Sequence, residues 1–255
     1  MQQEETDPTA DARAKLLQAA LAHVPFDGWT ETSFRAAIAA SGLPEGLARA
    51  LYPRGGVDLA LAYHRDGDTQ MTRALATPEA REAMARMRYS ERVAHAIRTR
   101  LELIEDRELI RRGTTLFALP QHAAEGSKAI WGTADAIWKA LDDNSRDFNW
   151  YSKRATLSAV YGATVLYWLG DDSPGRTASW EFLDRRIADV MRIEKMKAGF
   201  RDNPLARAFR ASPMGRGFDT TLNRAGGCRP PTARDVRDDL PGHSSRPMHE
   251  DPVEP

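Results

Sequence analysis

Cysteine is almost absent from this chain of 255 residues, which contains a single one, Cys228. One cysteine excludes an internal disulfide and a thiolate zinc cluster, and it indicates a reducing compartment. Long apolar runs are also missing, because the best candidate, residues 157–169, is shorter than the ~18–20 apolar residues that span a bilayer. The acidic N-terminal sequence MQQEETDPTADAR has neither the apolar segment of a signal peptide nor the arginine-rich composition of a transit peptide. A cytoplasmic location is therefore expected.

An excess of charge of one sign is lacking as well, because lysine plus arginine and aspartate plus glutamate each number 36. For the whole chain this balance gives no indication of a nucleic-acid partner. The sequence also lacks a glycine-rich phosphate loop, a His-Glu-x-x-His motif and a nucleophile elbow. A carboxylate-bridged di-iron bundle requires paired Glu-x-x-His motifs, whereas Glu91 and His95 are four residues apart and have no second copy. The sequence therefore predicts a protein that is not an enzyme and that holds no cofactor and no metal.

Runs of alternating β-branched residues are absent, and every segment with clear periodicity is helical, which predicts an all-α fold. Near the N-terminus, three short helices with a tight turn at Ser41 and Gly42 indicate a helix-turn-helix. Longer helices follow, and the sequence after Phe218 contains prolines and charges but no aromatic residue, which indicates disorder. The expected organisation is a disordered N-terminus at 1–12, a helix-turn-helix unit at 13–56, a helical domain at 57–197, a short amphipathic segment at 198–218 and a disordered tail at 219–255.

The helix-turn-helix is similar to that of TetR-type regulators, whose turn and recognition helix typically read AGVSKGTLYRHFP where this chain reads SGLPEGLARALYP. Phosphate contacts require cations or hydroxyl donors. The lysine, threonine, tyrosine and histidine of the TetR pattern are replaced here by Glu45, Leu47, Arg49 and Leu51. Residues 1–64 contain five cations and eight anions, a net charge of −3. Arg49 leaves a phosphate contact open, but the pattern favours a scaffold, and nucleic acid is not an expected partner.

The segment DFNWYSKRATLSAVYGATVLYWL, residues 147–169, changes from polar aromatic and cationic residues to an almost unbroken apolar run. The apolar residues of its second half point in nearly all directions around a helix, which predicts burial in either a closed core or the wall of a lipid pocket. These residues are Val160, Val165, Leu166, Trp168 and Leu169. Trp150 and Tyr151 are ~100° apart on the helix, so at least one is expected near the surface. A salt bridge to the acidic residues at 142 and 143 is the simplest role for Arg154.

Four separated motifs occur in a fixed order along the C-terminal two thirds of the chain. They are ALP at 118–120, TADAIW at 133–138, DFNWYSKR at 147–154 and TASWEFLDRRI at 177–187. With these motifs, residues 13–197 resemble the coenzyme Q biosynthesis accessory family, TetR-like lipid-binding proteins that assist the di-iron hydroxylase of ubiquinone synthesis. The resemblance implies a homodimer that binds an isoprenoid lipid or quinone precursor and presents it to the hydroxylase. The alternatives are a TetR-type ligand-responsive transcriptional regulator and an interaction scaffold with a filled core.

The resemblance also assigns residues to three kinds of contact. On the helix with the NWY motif it implies hydroxylase docking through Trp150 and Tyr151, with Asp147 beside them. The lipid pocket that it implies is expected to be lined by Trp138, Leu157, Tyr161, Leu166 and Trp168. An amphipathic helix at 203–210 is the candidate for a weak, peripheral contact with the inner membrane. That helix would use Leu205, Phe209, Arg207 and Arg210.

Overall fold

The computed structural model describes residues 7–143 and 148–202, with the side chains of 148, 149 and 193–202 left undescribed. Helices account for all regular secondary structure in these ranges, which confirms the predicted all-α class. The helices are α1 Pro8–Leu21, α2 Val24–Asp27, α3 Glu31–Ser41, α4 Glu45–Leu51, α5 Gly56–Leu75, α6 Pro78–Ala85, α7 Tyr89–Glu102, α8 Arg107–Ala118, α9 Ala123–Ala140, α10 Phe148–Leu169, a 3-10 helix Pro174–Arg176 and α11 Thr177–Asp202.

Helix α1 begins earlier than the sequence suggested. The Asp7 side chain caps the helix by accepting from the Thr9 amide at 2.9 Å, and Pro8 occupies the first turn, where a missing N–H costs nothing. Residues 8–12, expected to belong to a disordered N-terminus, are therefore helical. The signal was present in the sequence as the pair Asp-Pro, which is a common start of a helix.

The helix-turn-helix consists of α3 and α4. Thr30 and Ser33 form a capping box at the start of α3, and Gly42 ends the helix with a φ of 67°, a left-handed conformation that suits glycine. Pro44 then precedes α4. Around this motif, α1 to α5 share one apolar core whose centre includes Leu16, Phe34 and Leu59, all fully buried.

A second apolar core lies among α5, α7, α9, α10 and α11. Its buried centre includes Met71, Ile97, Ile137, Trp168 and Leu183. Helix α9 is central to this region because it packs against α5, α7, α8 and α10. The positions of the candidate site residues follow from how α9 and α10 lie against each other.

The chain divides into two compact units, residues 1–194 and 195–255. Of the second unit the structure describes only the backbone of the end of α11. The candidate residues Asp147, Leu205, Arg207, Phe209 and Arg210 lie outside the described residues. The expected boundary between 197 and 198 falls inside α11, which continues to Asp202.

Candidate functional site

Three aromatic side chains from two helices form one cluster, which we call the aromatic patch: Trp131 of α9 and Trp150 and Tyr151 of α10. The Trp150 and Tyr151 rings meet edge to face at 4.7 Å between centroids, and Trp131 lies 6.1 Å from Trp150 and 6.5 Å from Tyr151. Such aromatic contacts favour tilted geometries of this kind. Tyr151 is 44% exposed and Trp150 is half-buried, so the patch presents one aromatic ring to solvent and supports it with two others.

Arg154 contacts the aromatic patch through the Trp150 ring and links it to α9. Its guanidinium lies 3.8 Å from the centroid of the Trp150 ring, and its Nε donates to Asp135 Oδ1 at 2.6 Å. Burial raises the pKa of the Asp135 carboxyl, but the hydrogen bonds from Lys139 and Arg154 outweigh that effect and the pKa is lowered overall. The expected salt bridge from Arg154 to the loop at 142–143 is wrong. Lys153 makes that contact instead, with Nζ 2.6 Å from Asp143 Oδ1, because the two cations lie on different sides of α10.

A cavity of about 410 Å³ lies between α5, α8, α9 and α10, and we call it the larger cavity because it is the larger of two mostly apolar cavities along α10. Most of its wall is apolar, and its lining includes Tyr63, His64, Phe117, Ile130, Tyr161, Val165 and Leu166. This volume is within the range of small-molecule sites in proteins. This wall can therefore bind an apolar chain by packing alone, without hydrogen bonds.

A buried polar network borders the larger cavity. Arg100 Nε donates to Asp68 Oδ1 at 2.9 Å, Thr133 Oγ1 donates to the same carboxylate, and His64 Nε2 lies 2.8 Å from Thr133 Oγ1. Burial lowers the pKa of His64, although the Asp68 carboxylate opposes that shift. The imidazole is therefore neutral at pH 7, and the network fixes α5, α7 and α9 relative to one another.

A second cavity of about 150 Å³, the smaller cavity, lies between α7, α9, α10 and α11. Its lining includes Tyr89, Val93, Trp138, Lys153, Leu157, Val160, Ile187 and Val190. The Tyr89 and Trp138 rings stack at 5.8 Å, and Lys153 Nζ lies 5.3 Å from the centroid of the Trp138 ring. This cavity is thus mostly apolar, and its lining also includes a cation, two polar-tipped rings and the hydroxyl side chains Ser90, Ser152 and Thr156.

The Trp138 indole is an exception to the usual pairing of buried polar groups. It is 6% exposed, and its Nε1 has no hydrogen-bond partner among the described residues. By contrast, the indoles of Trp29 and Trp180 donate to the Leu109 and Gly175 carbonyls at 3.1 and 3.0 Å. A buried donor without a partner costs about 1–3 kcal/mol.

The five predicted lipid-binding residues do not line one common cavity. Tyr161 and Leu166 line the larger cavity, and Trp138 and Leu157 line the smaller one. Trp168 lines neither. It contacts a third, largely polar recess beside Asp171 and Arg176.

Leu166 also corrects the expectation that this end of α10 is buried on all sides. It is 62% exposed, because α10 packs on α9 and α8 and the described residues leave one side of the helix uncovered. Tyr167, next to it, is 40% exposed and stacks on Phe182 at 4.5 Å.

Arg49, the one cation in the sequence of α4, is engaged by carboxylates. It forms a salt bridge with Glu31, lies 3.9 Å from Glu45, and stacks over the Phe34 ring at 4.7 Å. A phosphate would have to displace these contacts, which strengthens the interpretation of α4 as scaffold.

Two features are absent from the part of the chain that the structure describes. Within 7–143 and 148–202, no group of three or more His, Cys, Asp or Glu side chains is placed to hold a metal ion. Over the same ranges, none of the helices combines the length and apolar character needed to cross a membrane.

The arrangement of helices defines the class of protein. A TetR transcriptional regulator from Nitrosomonas europaea has a similar structure, with a TM-score of 0.56 over 71% of this chain and 97% of that one, at 18% sequence identity. At this sequence identity, the structural similarity is evidence for the fold only. It confirms the predicted TetR-like architecture.

Sequence similarity is more specific than the similarity of the folds. Residues 123–194, which contain the aromatic patch, match the model of the COQ9 family. The chain is 31% identical over 202 residues to the mitochondrial ubiquinone biosynthesis protein COQ9 of Drosophila melanogaster, and 29% identical over 199 residues to that of Homo sapiens. These alignments cover 76% and 75% of this chain but only 62% and 61% of the relatives. The predicted resemblance to the coenzyme Q biosynthesis accessory family is confirmed. The COQ9 model matches the chain from the start of α9 into α11.

Proposed function

We propose that this chain is an accessory protein of ubiquinone biosynthesis that performs no chemistry itself, binds an isoprenoid quinone precursor and presents it to the di-iron hydroxylase. The observation that carries the proposal is the coincidence of the COQ9 match at 123–194 with an exposed aromatic patch and with walls of two apolar cavities. The relatives are named ubiquinone biosynthesis proteins, which supports a role in that pathway.

Lipid binding is supported by the size and character of the larger cavity. Each CH₂ group taken out of water contributes about 0.8 kcal/mol, so an isoprenoid tail gains most of its binding energy from an apolar wall such as this one. Tyr161 and Leu166, two of the predicted lipid-binding residues, contribute to that wall.

The test of lipid binding is to purify the protein from a quinone-producing host, extract it with organic solvent and examine the extract by mass spectrometry. We expect a stoichiometric isoprenoid or quinone intermediate. In Ile130→Trp, which fills part of the larger cavity, the amount should fall. In Gly132→Ala, where an added Cβ has no atom within 4 Å, it should not change. A wild-type extract that is empty or contains only phospholipid contradicts lipid presentation.

Hydroxylase docking is supported by the exposure of Tyr151 and by the enrichment of tryptophan and tyrosine at binding hot spots. We expect the double variant Trp150→Ala, Tyr151→Ala to weaken binding of the hydroxylase about 30-fold or more, since hot-spot truncations cost about 2 kcal/mol or more. Affinity is measured with purified hydroxylase, and circular dichroism checks that the variant is folded. Tyr167→Ala is the matched control, because Tyr167 is similarly exposed on α10 but lies near its other end. Undiminished hydroxylase binding by the double variant contradicts the docking role.

The remaining parts of the proposal are the homodimer, the cytoplasmic location and a weak peripheral contact with the inner membrane through residues 203–210. They remain predictions from the sequence. The relatives are named mitochondrial proteins.

A further inference from the structure

Three glycines, one on each of three helices, line the larger cavity: Gly113 of α8, Gly126 of α9 and Gly162 of α10. Gly126 is explained by packing, because a Cβ at this position would lie 2.6 Å from the Cβ of Phe117, which is closer than two carbons can approach. Packing does not explain the other two glycines.

Gly113 and Gly162 both have room for a side chain. Outside the backbone of its own helix, a Cβ on Gly113 would meet only Trp29 Nε1 within 4 Å, at 3.6 Å, and a Cβ on Gly162 would meet only Ile130 Cδ1, at 3.8 Å. Both distances are ordinary van der Waals contacts. Because glycine in a helix interior is less favourable than alanine, stability alone would favour a side chain at each position. The consequence of having none is that the cavity stays open.

Exposure along the wall distinguishes a mouth from a floor. Ser127 and Leu166 are exposed, so the cavity opens to solvent between α9 and α10. Trp29 and Ala60, each 3% exposed, close its inner end. The contact with Trp29 places Gly113 beside this floor. A linear ligand therefore enters past Leu166 and ends near Gly113.

The wall offers no charge to such a ligand. Its polar side chains are Trp29, Tyr63, His64, Thr114, Ser127 and Tyr161. The indole and the serine hydroxyl already donate to backbone carbonyls. Burial raises the pKa of both tyrosines and lowers that of the histidine, so these three side chains are neutral at pH 7. A charged head group would lose its hydration there without a counter-ion, so an uncharged chain suits the cavity and a charged group does not.

The volume of the cavity determines how much of a chain it can hold. An engineered cavity of about 150 Å³ holds the six carbons of one benzene molecule. On the same scale the larger cavity, at about 410 Å³, holds about three units of five carbons. An isoprenoid tail is built from units of this size.

We propose that the larger cavity selects the tail by length: it encloses about three isoprene units, with the end of the tail at the floor, and Gly113 and Gly162 determine how many units fit. The inference rests on the proposed lipid-binding function. It adds to that function the enclosed length of the tail, its direction and the residues that limit it. The head group and any further units stay outside the mouth.

The experiment measures the affinity of the full chain for linear isoprenoid alcohols of one, two, three and four units by calorimetry, below the solubility limit of each alcohol. We expect the affinity to rise about tenfold or more with each unit up to the third, because each unit buries further apolar carbons. The fourth unit should add less than about threefold, because no wall remains to bury it.

Two leucine variants test the role of the glycine at the floor. Gly113→Leu adds four carbons beside Trp29, so the rise in affinity should stop at the second unit, and the three-unit alcohol should bind about tenfold more weakly than to the wild type. Gly132→Leu is the matched control, because Gly132 lies on α9 outside the cavity lining and a Cβ there meets no atom within 4 Å. It should keep the wild-type length dependence.

Alanine variants keep the proposal testable where Gly113→Leu fails to fold. Gly113→Ala and Gly162→Ala should raise the melting temperature of the ligand-free protein. Both should also weaken binding of the three-unit alcohol relative to the two-unit alcohol. A lower melting temperature in both variants would show that the two glycines serve packing, and the proposal would be wrong.

Two further results overturn the length selection. One is an affinity that rises from the third to the fourth unit by the same factor as from the second to the third. The other is an identical length dependence in Gly113→Leu and Gly132→Leu. If none of the alcohols binds while an isoprenoid is still extracted from the purified protein, lipid binding stands and the larger cavity is not its site. An empty extract removes both.

Discussion

Arg154 is the residue on which the geometry of the aromatic patch depends. It is 2% exposed, it pairs with Asp135 across the α9–α10 contact, and its guanidinium stacks on Trp150. Arginine suits this position because its planar group can stack and form directional hydrogen bonds at the same time. One side chain therefore joins the two helices and fixes the orientation of the Trp150 ring.

Replacing Arg154 by methionine should destabilise the fold by about 2–3 kcal/mol, since a partly buried Asp135 carboxylate loses one of its partners. Binding of the hydroxylase should weaken too, because Trp150 loses its support. Urea denaturation gives the first quantity and a binding assay the second. The control is Arg186→Met: Arg186 is 45% exposed and pairs with Asp189, and such surface pairs contribute about 1 kcal/mol or less. Equal losses in the two variants contradict this role.

Asp171 connects α10 to α11 and makes the stability sensitive to acid. Its carboxylate accepts from Ser179 Oγ at 2.5 Å, from the Ser179 amide at 2.8 Å and from the Ser173 amide at 2.9 Å. The hydrogen bonds from Ser179, and then those from Ser173, hold the pKa of Asp171 well below its usual value. The unfolded chain therefore binds more protons than the folded one below about pH 4, and stability decreases as the pH falls through that range.

In Asp171→Asn this part of the pH dependence should disappear, so that stability between pH 3 and pH 6 varies less than in the wild type. Thermal unfolding at several pH values measures the effect. Asp172→Asn is the control, because Asp172 is 89% exposed on its side chain and contacts Arg107 only at the surface. If the stability of Asp171→Asn depends on pH as steeply as that of the wild type, Asp171 is not the source of the acid sensitivity.

At the scale of helices, a single glycine allows α5 and α7 to share the buried polar network. A Cβ on Gly67 of α5 would overlap the guanidinium of Arg100 on α7. Arg100 cannot easily withdraw, because it donates to Asp68 Oδ1 at 2.9 Å and to the His64 carbonyl at 3.0 Å. The contact between these two helices therefore depends on the absence of a side chain.

Gly67→Ala should cost about 1–3 kcal/mol, the range for overpacked interiors, even though alanine favours helix formation. Gly132→Ala in α9 should instead stabilise the protein by about 0.5–1 kcal/mol, because only the helix propensity changes there. Chemical denaturation of both variants measures the difference. Stabilisation of the protein by Gly67→Ala would show that Arg100 can move without loss.

The sequence was most informative for the longer helices. Periodicity predicted α7, α9 and the long α10 and α11, and the pair Ser41–Gly42 predicted the turn of the helix-turn-helix. Three helices were missed. Helices α2 and α6 have only four and eight residues, whereas α8 places its apolar residues on one face, so that its signal was present in the sequence and was overlooked. Leu166 was misjudged because periodicity cannot show which side of α10 its neighbours leave uncovered.

The aromatic patch was predictable on α10 and not on α9. Trp150 and Tyr151 stand out because two adjacent aromatics cannot face the same core. Trp131 and Asp135 became part of the site only through the packing of α9 on α10, and no local pattern indicates a contact between residues 19 apart. The TADAIW motif, which includes Asp135 and ends at Trp138, was the available signal.

For the whole molecule, the main contrast is between a TetR-like fold and a helix α4 whose one cation, Arg49, is already paired with carboxylates. The engagement of Arg49 by Glu31 and Glu45 leaves α4 with little to offer phosphate. We therefore expect no specific complex with DNA from upstream of its own gene in a gel-shift assay at physiological salt. A discrete, sequence-dependent shift that Arg49→Ala abolishes would support the TetR-type regulator instead.

Helix α10 carries the aromatic patch on its first turns and cavity walls on the turns that follow. This continuity has a thermodynamic consequence. If a ligand in a cavity changes the protein's affinity for a partner by some factor, the bound partner must change the protein's affinity for the ligand by the same factor. Under the proposed function, a hydroxylase that binds the lipid-loaded protein more tightly therefore also raises the protein's affinity for the lipid. Under the proposed function, consumption of the ligand by the hydroxylase would then favour its release, so that delivery and chemistry are thermodynamically coupled.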